Sequence, residues 1–340
     1  MKNLERLNET ARLLVAEDKG LLAMDESTST CNKRFAALNI PQTPEMRRMY
    51  REMLITTPGL NQCISGVILY DETLRQQLDD GRSFIQAVKD AGLMPGIKVD
   101  AGLKDFAGHP GEKICEGLDG LGERLAEYGK MSALFSKWRA VITIGEGIPS
   151  RALIEANAHM LARYAALSQE AGLVPIVEPE VLMDGEHTLE RSGEVTEEML
   201  KNLFYQLHIQ GVCLEAMLLK CNMIVPGLAC PVQNPVDEVA EATIKCLLRA
   251  VPAAVPGIVF LSGGQTSELA SARLNAMNAK YKNHVPWELS FSYARAIQQP
   301  GMSVWAGNPA NIEAAQKAIY HRAICNHAAR KGEYSDEMEK

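Results

Sequence analysis

The sequence predicts a single α/β domain, residues 1–340, built as a (β/α)8 or TIM barrel, and three observations carry that prediction. Short continuous apolar runs alternate with helical patterns along the whole chain, as parallel strands covered on both faces require. Eight such runs stand out: 21–24, 66–70, 96–99, 140–144, 174–177, 212–219, 257–261 and 288–291. A weak internal echo sets their spacing. Ala91-Gly92-Leu93-Met94-Pro95-Gly96-Ile97 resembles Ala171-Gly172-Leu173-Val174-Pro175-Ile176-Val177, and Pro256 leads another run, so the prolines at 95, 175 and 256 fall 80 and 81 residues apart. Each interval holds two strand–helix units of about 40 residues, the eightfold barrel repeat. Finally, most runs end in charged or Ser/Gly residues, as expected where strand ends converge on one pocket.

The elements follow in order. The run 21–24 leads to Asp25-Glu26-Ser27, and 96–97 runs into Lys98. Lys137-Trp138-Arg139 leads the run 140–144, with Lys137 and Arg139 on one face by their two-residue spacing. Ser150 can cap a helix in which Leu153, Ile154, Met160, Leu161 and Tyr164 recur at helical spacing up to Gly172. Glu178-Pro179-Glu180 follows the run 174–177, again with two charges on one face. Thr196 can cap the next helix, and Lys220 closes the sixth run. Ser262-Gly263-Gly264 ends the seventh, before a helix opened by Thr266-Ser267-Glu268, and Ser292-Tyr293-Ala294-Arg295 ends the eighth. The charged stretch 331–340 reads as a solvated, frayed tail.

Composition narrows the function classes. The chain is 46% hydrophobic and 23% charged, ordinary for a globular enzyme, with net charge −7. It has no basic run or basic-aromatic stripe, so no nucleic-acid partner is expected. No stretch approaches the roughly 20 apolar residues that span a bilayer, so no membrane partner is expected. Met1-Lys2-Asn3-Leu4-Glu5-Arg6 lacks the apolar core of a signal peptide and reads as the start of a helix. Eight scattered cysteines, none in a Cys-x-x-Cys pair, suit reduced and mostly buried thiols in a cytoplasmic protein. Seven histidines include no His-x-His or His-Glu-x-x-His grouping, so a metal-dependent mechanism has no visible ligand set. Neither metal nor cofactor is expected.

The chemistry centres on Lys220. A lysine ending a packed strand is desolvated, which lowers its pKa and exposes a neutral amine able to attack a carbonyl. The competing reading is a strand-end lysine that simply reaches water. Lys137 nearby would depress Lys220 further, and Glu178, flanked by apolar residues, is the candidate general acid/base. Asp25 can balance an iminium, although each carboxylate has an ion pair as its plainer reading. Ser262-Gly263-Gly264 before a helix start, with Arg295, makes a phosphate site or else an ordinary tight turn. Lys98 with Ser27, Thr30 and Arg34 forms a second cationic set. Two phosphate sites flanking an amine point to a bisphosphorylated carbonyl substrate.

At this point the residues resemble a known family, the class I (Schiff-base) fructose-1,6-bisphosphate aldolases of the animal and plant type. The matching stretches are Asp25-Glu26-Ser27-Thr28, Gly66-Val67-Ile68-Leu69, Gly96-Ile97-Lys98-Val99-Asp100, Lys137-Trp138-Arg139 and Pro175-Ile176-Val177-Glu178-Pro179-Glu180. Leu218-Leu219-Lys220, Leu261-Ser262-Gly263-Gly264-Gln265 and Phe291-Ser292-Tyr293-Ala294-Arg295 complete the set in the family's order. The resemblance implies a metal-independent barrel, commonly a homotetramer, acting on sugar phosphates in glycolysis, gluconeogenesis or the Calvin cycle. It implies Lys220 as the Schiff-base lysine and Glu178 as the acid/base, with Asp25, Lys137 and Glu180 supporting. Ser262, Gly263, Gly264, Ser292 and Arg295 would receive the C1 phosphate. Ser27, Thr30, Arg34 and Lys98 would receive the C6 phosphate, and Arg139 joins the substrate-binding set.

Three departures follow. Cys221 stands where proline is usual, which is expected to loosen the strand end. Thr30 replaces a common serine but keeps the hydroxyl. The chain stops at Lys340, without the longer tail whose terminal tyrosine assists enamine proton exchange in relatives. A preference for sedoheptulose bisphosphate, or a non-catalytic phosphosugar-binding barrel, stays open at this level.

Overall fold

A computed structural model describes residues 4–340. Eight parallel strands close into a barrel: β1 (Gly20–Ala23), β2 (Ile64–Leu69), β3 (Met94–Lys98), β6 (Phe135–Ile142), β7 (Val174–Val181), β8 (Leu218–Cys221), β9 (Gly257–Phe260) and β10 (Glu288–Tyr293). Between β3 and β6 the chain makes an antiparallel hairpin of β4 (Gly102–Asp105) and β5 (Lys113–Glu116). The helices are α1 (Leu4–Leu14), α2 (Thr28–Ala36), α3 (Pro44–Ile55), α4 (Asp71–Leu74), α5 (Phe84–Asp90) and α6 (Leu121–Lys130). They continue with α7 (Arg151–Glu170), α8 (Leu189–Ile209), α9 (Val236–Ala250), α10 (Ser267–Tyr281), α11 (Arg295–Trp305) and α12 (Ile312–Lys331). The (β/α)8 expectation is thus met, with sheet order β1-β10-β9-β8-β7-β6-β3-β2 closing the ring.

Local chemistry explains several boundaries. Ser150 caps α7 by accepting from Leu153 N, and Thr266 caps α10 by accepting from Leu269 N. Gly92 and Gly172 adopt left-handed φ of 73° and 79° where α5 and α7 turn into β3 and β7. Pro95 and Pro175 are the second residues of those strands, as the repeat requires.

Inside the barrel, Leu21, Ala23, Ile68, Phe135, Ile176, Leu218 and Val259 form an apolar plug with Leu7, Ala11 and Leu14 of α1. The close approach of Phe135 demands glycine opposite, since a Cβ at Gly96 would run into its ring.

Five expectations need correction. Lys137, Trp138 and Arg139 lie within β6 rather than ahead of it. Glu178, Pro179 and Glu180 continue β7, whose eight residues are all buried. Leu214–Ala216 is a 3-10 turn, so β8 is shorter than the run 212–219. Thr188, not Thr196, caps α8, and Thr196 is buried within that helix. The stretch 331–340 is docked: Tyr334 is 7% exposed and its N–H donates to Asn275 Oδ1 at 2.9 Å. The expected helix start at 1–3 lies outside the described residues. All eight cysteines are free and seven are buried, as read from the sequence.

Candidate active site

Four charged side chains form a buried ladder across the barrel mouth. Lys220 Nζ on β8 lies 3.3 Å from Glu178 Oε1 on β7. Glu178 Oε2 lies 2.6 Å from Lys137 Nζ on β6, close enough for an ion pair but outside hydrogen-bond angles. Lys137 then donates to Asp25 Oδ2 at 3.0 Å, just beyond β1. None of the four is more than 7% exposed. Neighbouring strands put them there: Lys137 is in register with Ile176 and Arg139 with Glu178, so the charges stagger towards one another. Two cations face two carboxylates, which is what makes such burial tolerable.

The environment separates the two lysines. Burial pushes Lys220 below the ordinary lysine range, Lys137 adds to this, and Glu178 and Asp25 oppose it. Burial alone would also lower Lys137, but Asp25 and Glu178 carry it well above the ordinary range. Asp25 is likewise opposed by burial, and Lys137, Lys220 and Lys98 hold it low as a carboxylate. One amine is poised to become neutral while its neighbour stays a fixed cation.

A second tier sits beside the ladder. Lys98 pairs with Asp100 at 2.5 Å, and Asp100 Oδ2 accepts from Arg139 N at 3.3 Å. Arg139 is ion-paired with Glu180. Glu180 therefore braces Arg139 instead of touching the Lys220–Glu178 pair.

The glycine turn after β9 joins the end of β10. Arg295 donates to the Gly263 carbonyl, and Gly263 has φ +58° with no room for a side chain against Met183. Gly264 N–H meets Met183 Sδ at 2.6 Å, a weak acceptor that an anion could displace. Ser292 Oγ is buried without a hydrogen-bond partner among the described residues. A cavity of about 420 Å³ borders this corner, lined by Gln265, Thr266, Ser267, Glu268, Arg295 and Gln299. It does not reach Lys220.

The second expected phosphate set is less open. Ser27 Oγ contacts Thr30 Oγ1 at 3.1 Å at the start of α2. Arg34, however, is ion-paired with Glu26 and donates to Gln298 Oε1 at 2.5 Å and Gln299 Oε1 at 3.2 Å. Lys98 is held by Asp100. No contact among the described residues joins these two cations to the hydroxyls.

Two of the departures resolve. Cys221 remains in register with Phe260, and its carbonyl accepts from Leu261 N at 3.0 Å, so the strand end is not loosened. Its thiol is fully buried and pushed far up by that burial. Tyr334 is engaged elsewhere, donating to Glu339 Oε1 at 2.7 Å.

Sequence reasoning missed Asp100, Glu26 and Arg273. The two-residue spacing of Lys98 and Asp100 was the available signal for the first. Glu26 beside Asp25 gave none until α2 brought Arg34 back. Arg273 on α10 is buried and donates to Gln265 Oε1 at 2.9 Å, tying the helix to the glycine turn. With no ion pair among the described residues, its desolvation lowers it to about 10.

Comparison with known proteins identifies the family. The family description "Fructose-bisphosphate aldolase class-I" matches residues 6–340. A probable fructose-bisphosphate aldolase class 1 of Xanthomonas campestris pv. campestris is 54% identical over 333 residues, covering 98% of this chain and 99% of the relative. The fructose-bisphosphate aldolase of Dictyostelium discoideum is 49% identical over 98% of this chain and 94% of its own length. Among solved structures, the fructose-bisphosphate aldolase of Plasmodium falciparum, in complex with TRAP and a small-molecule inhibitor, superposes with TM-score 0.95. That protein is 44% identical, and the match covers 97% of this chain and 95% of the solved one. A barrel whose mouth carries a desolvated lysine against a carboxylate, matched end to end by these relatives, belongs to the class I fructose-bisphosphate aldolases.

Proposed function

We propose that the protein reversibly cleaves D-fructose 1,6-bisphosphate to dihydroxyacetone phosphate and D-glyceraldehyde 3-phosphate through a Schiff base on Lys220. The observation that carries this reading is the depressed Lys220 amine lying 3.3 Å from Glu178. Lys220 passes its ammonium proton to Glu178, the neutral amine adds to the C2 ketone, and Glu178 gives that proton to the departing C2 hydroxyl, which leaves as water. The resulting iminium carries a positive charge that Asp25 balances. When the C3–C4 bond breaks, its electron pair flows into the iminium to form an enamine, and Glu178 takes the C4 hydroxyl proton. Glyceraldehyde 3-phosphate leaves. A proton added at C3 and one water then return dihydroxyacetone phosphate and free Lys220.

In this reading Lys137, held cationic, keeps Lys220 low and fixes Glu178 between the two amines. Ser262, Gly263, Gly264, Ser292 and Arg295 receive the C1 phosphate. Ser27, Thr30, Lys98 and Arg34 receive the C6 phosphate after exchanging partners, and Arg139 and Glu180 frame the chain between. A cytoplasmic homo-oligomer, with a tetramer as the implied form, is part of the same proposal. Exposed Tyr205 and Ile209, one turn apart on α8, offer apolar surface for such contacts. Sedimentation at micromolar protein tests it, and a single monomer peak would rule it out.

The decisive test is borohydride reduction with dihydroxyacetone phosphate, followed by peptide mapping. The adduct is expected on Lys220, and Lys220→Ala is expected to lose both labelling and nearly all cleavage. An adduct on Lys98 or Lys137 in the unaltered protein would overturn the assignment.

A further inference from the structure

The closing segment builds a second cluster of reactive side chains on the outer helical layer. After α12 the chain reverses at Gly332, whose φ of +81° lets it turn back along the helix it has just left. Tyr334 is then buried, and a 3-10 turn over Asp336–Glu339 returns the chain to the middle of α12. There Glu339 meets His321 and Cys325, which are one turn apart and so share a helix face. His321 Nε2 lies 3.7 Å from Cys325 Sγ and 3.8 Å from Glu339 Oε2, and all three ligand atoms fall within 4.8 Å of one another.

We propose that His321, Cys325 and Glu339 form a binding site for a thiophilic divalent cation of the zinc class, which fastens the closing segment to α12. Three arguments support it. Nitrogen, sulfur and oxygen ligands at about 2.0–2.3 Å from a tetrahedral zinc stand roughly 3.3–3.6 Å apart, so the two edges from His321 shrink by a few tenths of an ångström and the Cys325–Glu339 edge, within 4.8 Å, closes by a side-chain rotation of Glu339. One thiolate, one imidazole and one carboxylate suit zinc and exclude magnesium and calcium, which take oxygen ligands.

The carboxylate is also oriented from outside the cluster. Tyr334 donates to Glu339 Oε1, while Arg322, itself held by Ser271 Oγ at 2.8 Å, donates to Oε2. Donors of this kind behind a ligating carboxylate are the usual support of a metal centre. A carboxylate oxygen has lone pairs for both Arg322 and a metal. Cys325 is fully buried, whereas His321 is about half exposed, so an ion enters past the histidine.

Binding has a proton balance. Burial pushes the Cys325 thiol up to about 11, with Arg322 drawing it down and Glu339 adding to the rise. The free protein thus holds a thiol at neutral pH. Forming the metal–sulfur bond breaks the S–H bond and releases that proton to the buffer. The site shares no residue with the Lys220 ladder, so the ion fastens the tail and takes no part in cleavage.

The test uses the full chain, freed of metal by a chelator and titrated with Co²⁺. A thiolate-to-cobalt absorption band should saturate at one equivalent per chain and be displaced by Zn²⁺. C325S should abolish the band. H321A and E339Q should weaken binding by at least roughly tenfold. C213S should leave the band intact, because Cys213, the half-buried thiol beside Glu215, is the competing site. Zn²⁺ should also raise the Tm of the unaltered protein, and by less in H321A and E339Q at the same Zn²⁺ concentration, which keeps the test independent of how well C325S folds. Absence of the band, its survival in C325S, its loss in C213S, or unchanged affinity in E339Q would overturn the site. Cleavage that stopped on chelation would overturn the structural role.

Discussion

At one end of the proposed pocket, Ser292 Oγ is unpartnered among the described residues, Gly264 N–H rests against a sulfur, and Arg295 leans on a backbone carbonyl. At the other end, Lys98 and Arg34 are already paired with Asp100 and Glu26. The first end can accept a phosphate by trading weak partners for a dianion. The second must give up or share ion pairs of its own, so its net gain is smaller. That asymmetry suits an enzyme that keeps one half of its substrate covalently bound while the other half leaves. Under the proposed assignment, a firm hold on the C1 phosphate would retain the enamine and a weaker hold on the C6 phosphate would let the aldehyde depart.

The largest effect should follow from damage to the open end. Arg295→Ala is expected to weaken dihydroxyacetone phosphate binding by about 1.5–3 kcal/mol, roughly 13- to 160-fold in Kd. Isothermal titration with the non-cleavable triose phosphate reads it directly, and an unchanged Kd would place the phosphate elsewhere. A smaller effect is expected at the paired end. Lys98→Met should raise the KM for fructose 1,6-bisphosphate by about 0.5–1.5 kcal/mol in equivalent terms. It should leave triose phosphate binding untouched. If both variants cost the triose phosphate equally, the two ends are not distinct and the comparison fails.

Much of the fold and of the charged cluster was legible in the sequence, but the asymmetry was not, and the illegible part has a common cause. Ser150 and Thr266 read correctly as caps because capping involves only the next few residues. Lys220, Glu178 and Asp25, which the fold brings into one buried cluster, stood out as candidates because a charge ending an apolar run is visible without knowing its neighbours. The start of β6 was misread because Lys137 and Arg139 look like loop residues until the barrel supplies Asp25, Glu178 and Glu180 as partners. Arg34 read as a free cation because Gln298, 264 residues away, and Glu26 reach it only in the fold. The β4–β5 hairpin went unseen since its exposed Lys104, Asp105, Lys113 and Glu116 give no apolar alternation. Thr196 misled for a related reason: its hydroxyl serves Asn222 of a neighbouring loop and leaves the cap to Thr188.

The smallest effect on catalysis should come from the tail, and it tests whether the open end needs anything beyond the strand ends. In relatives a mobile terminal tyrosine is implied in enamine proton exchange, and Tyr334 is the only tyrosine in the last ten residues here. Its hydroxyl is committed to Glu339, its N–H to Asn275, and its ring to the core beside α12. Arg322, 2% exposed, relies on Glu339 as its carboxylate partner. Removing residues 333–340 should therefore cost fold stability, by about 3–5 kcal/mol if Arg322 is left as an uncompensated buried charge. Borohydride trapping and cleavage at a temperature where the truncated chain stays folded should change by no more than about twofold, since no group in the tail touches the ladder. Tritium exchange from dihydroxyacetone phosphate should be equally unaffected, the proton being carried by Glu178 or by water. A selective loss of exchange with trapping intact would mean that Tyr334 leaves its bond to Glu339 and reaches the enamine. In that case the open end would be completed by the tail during turnover, and Glu339→Gln, which weakens the bond that holds Tyr334 back, should speed exchange.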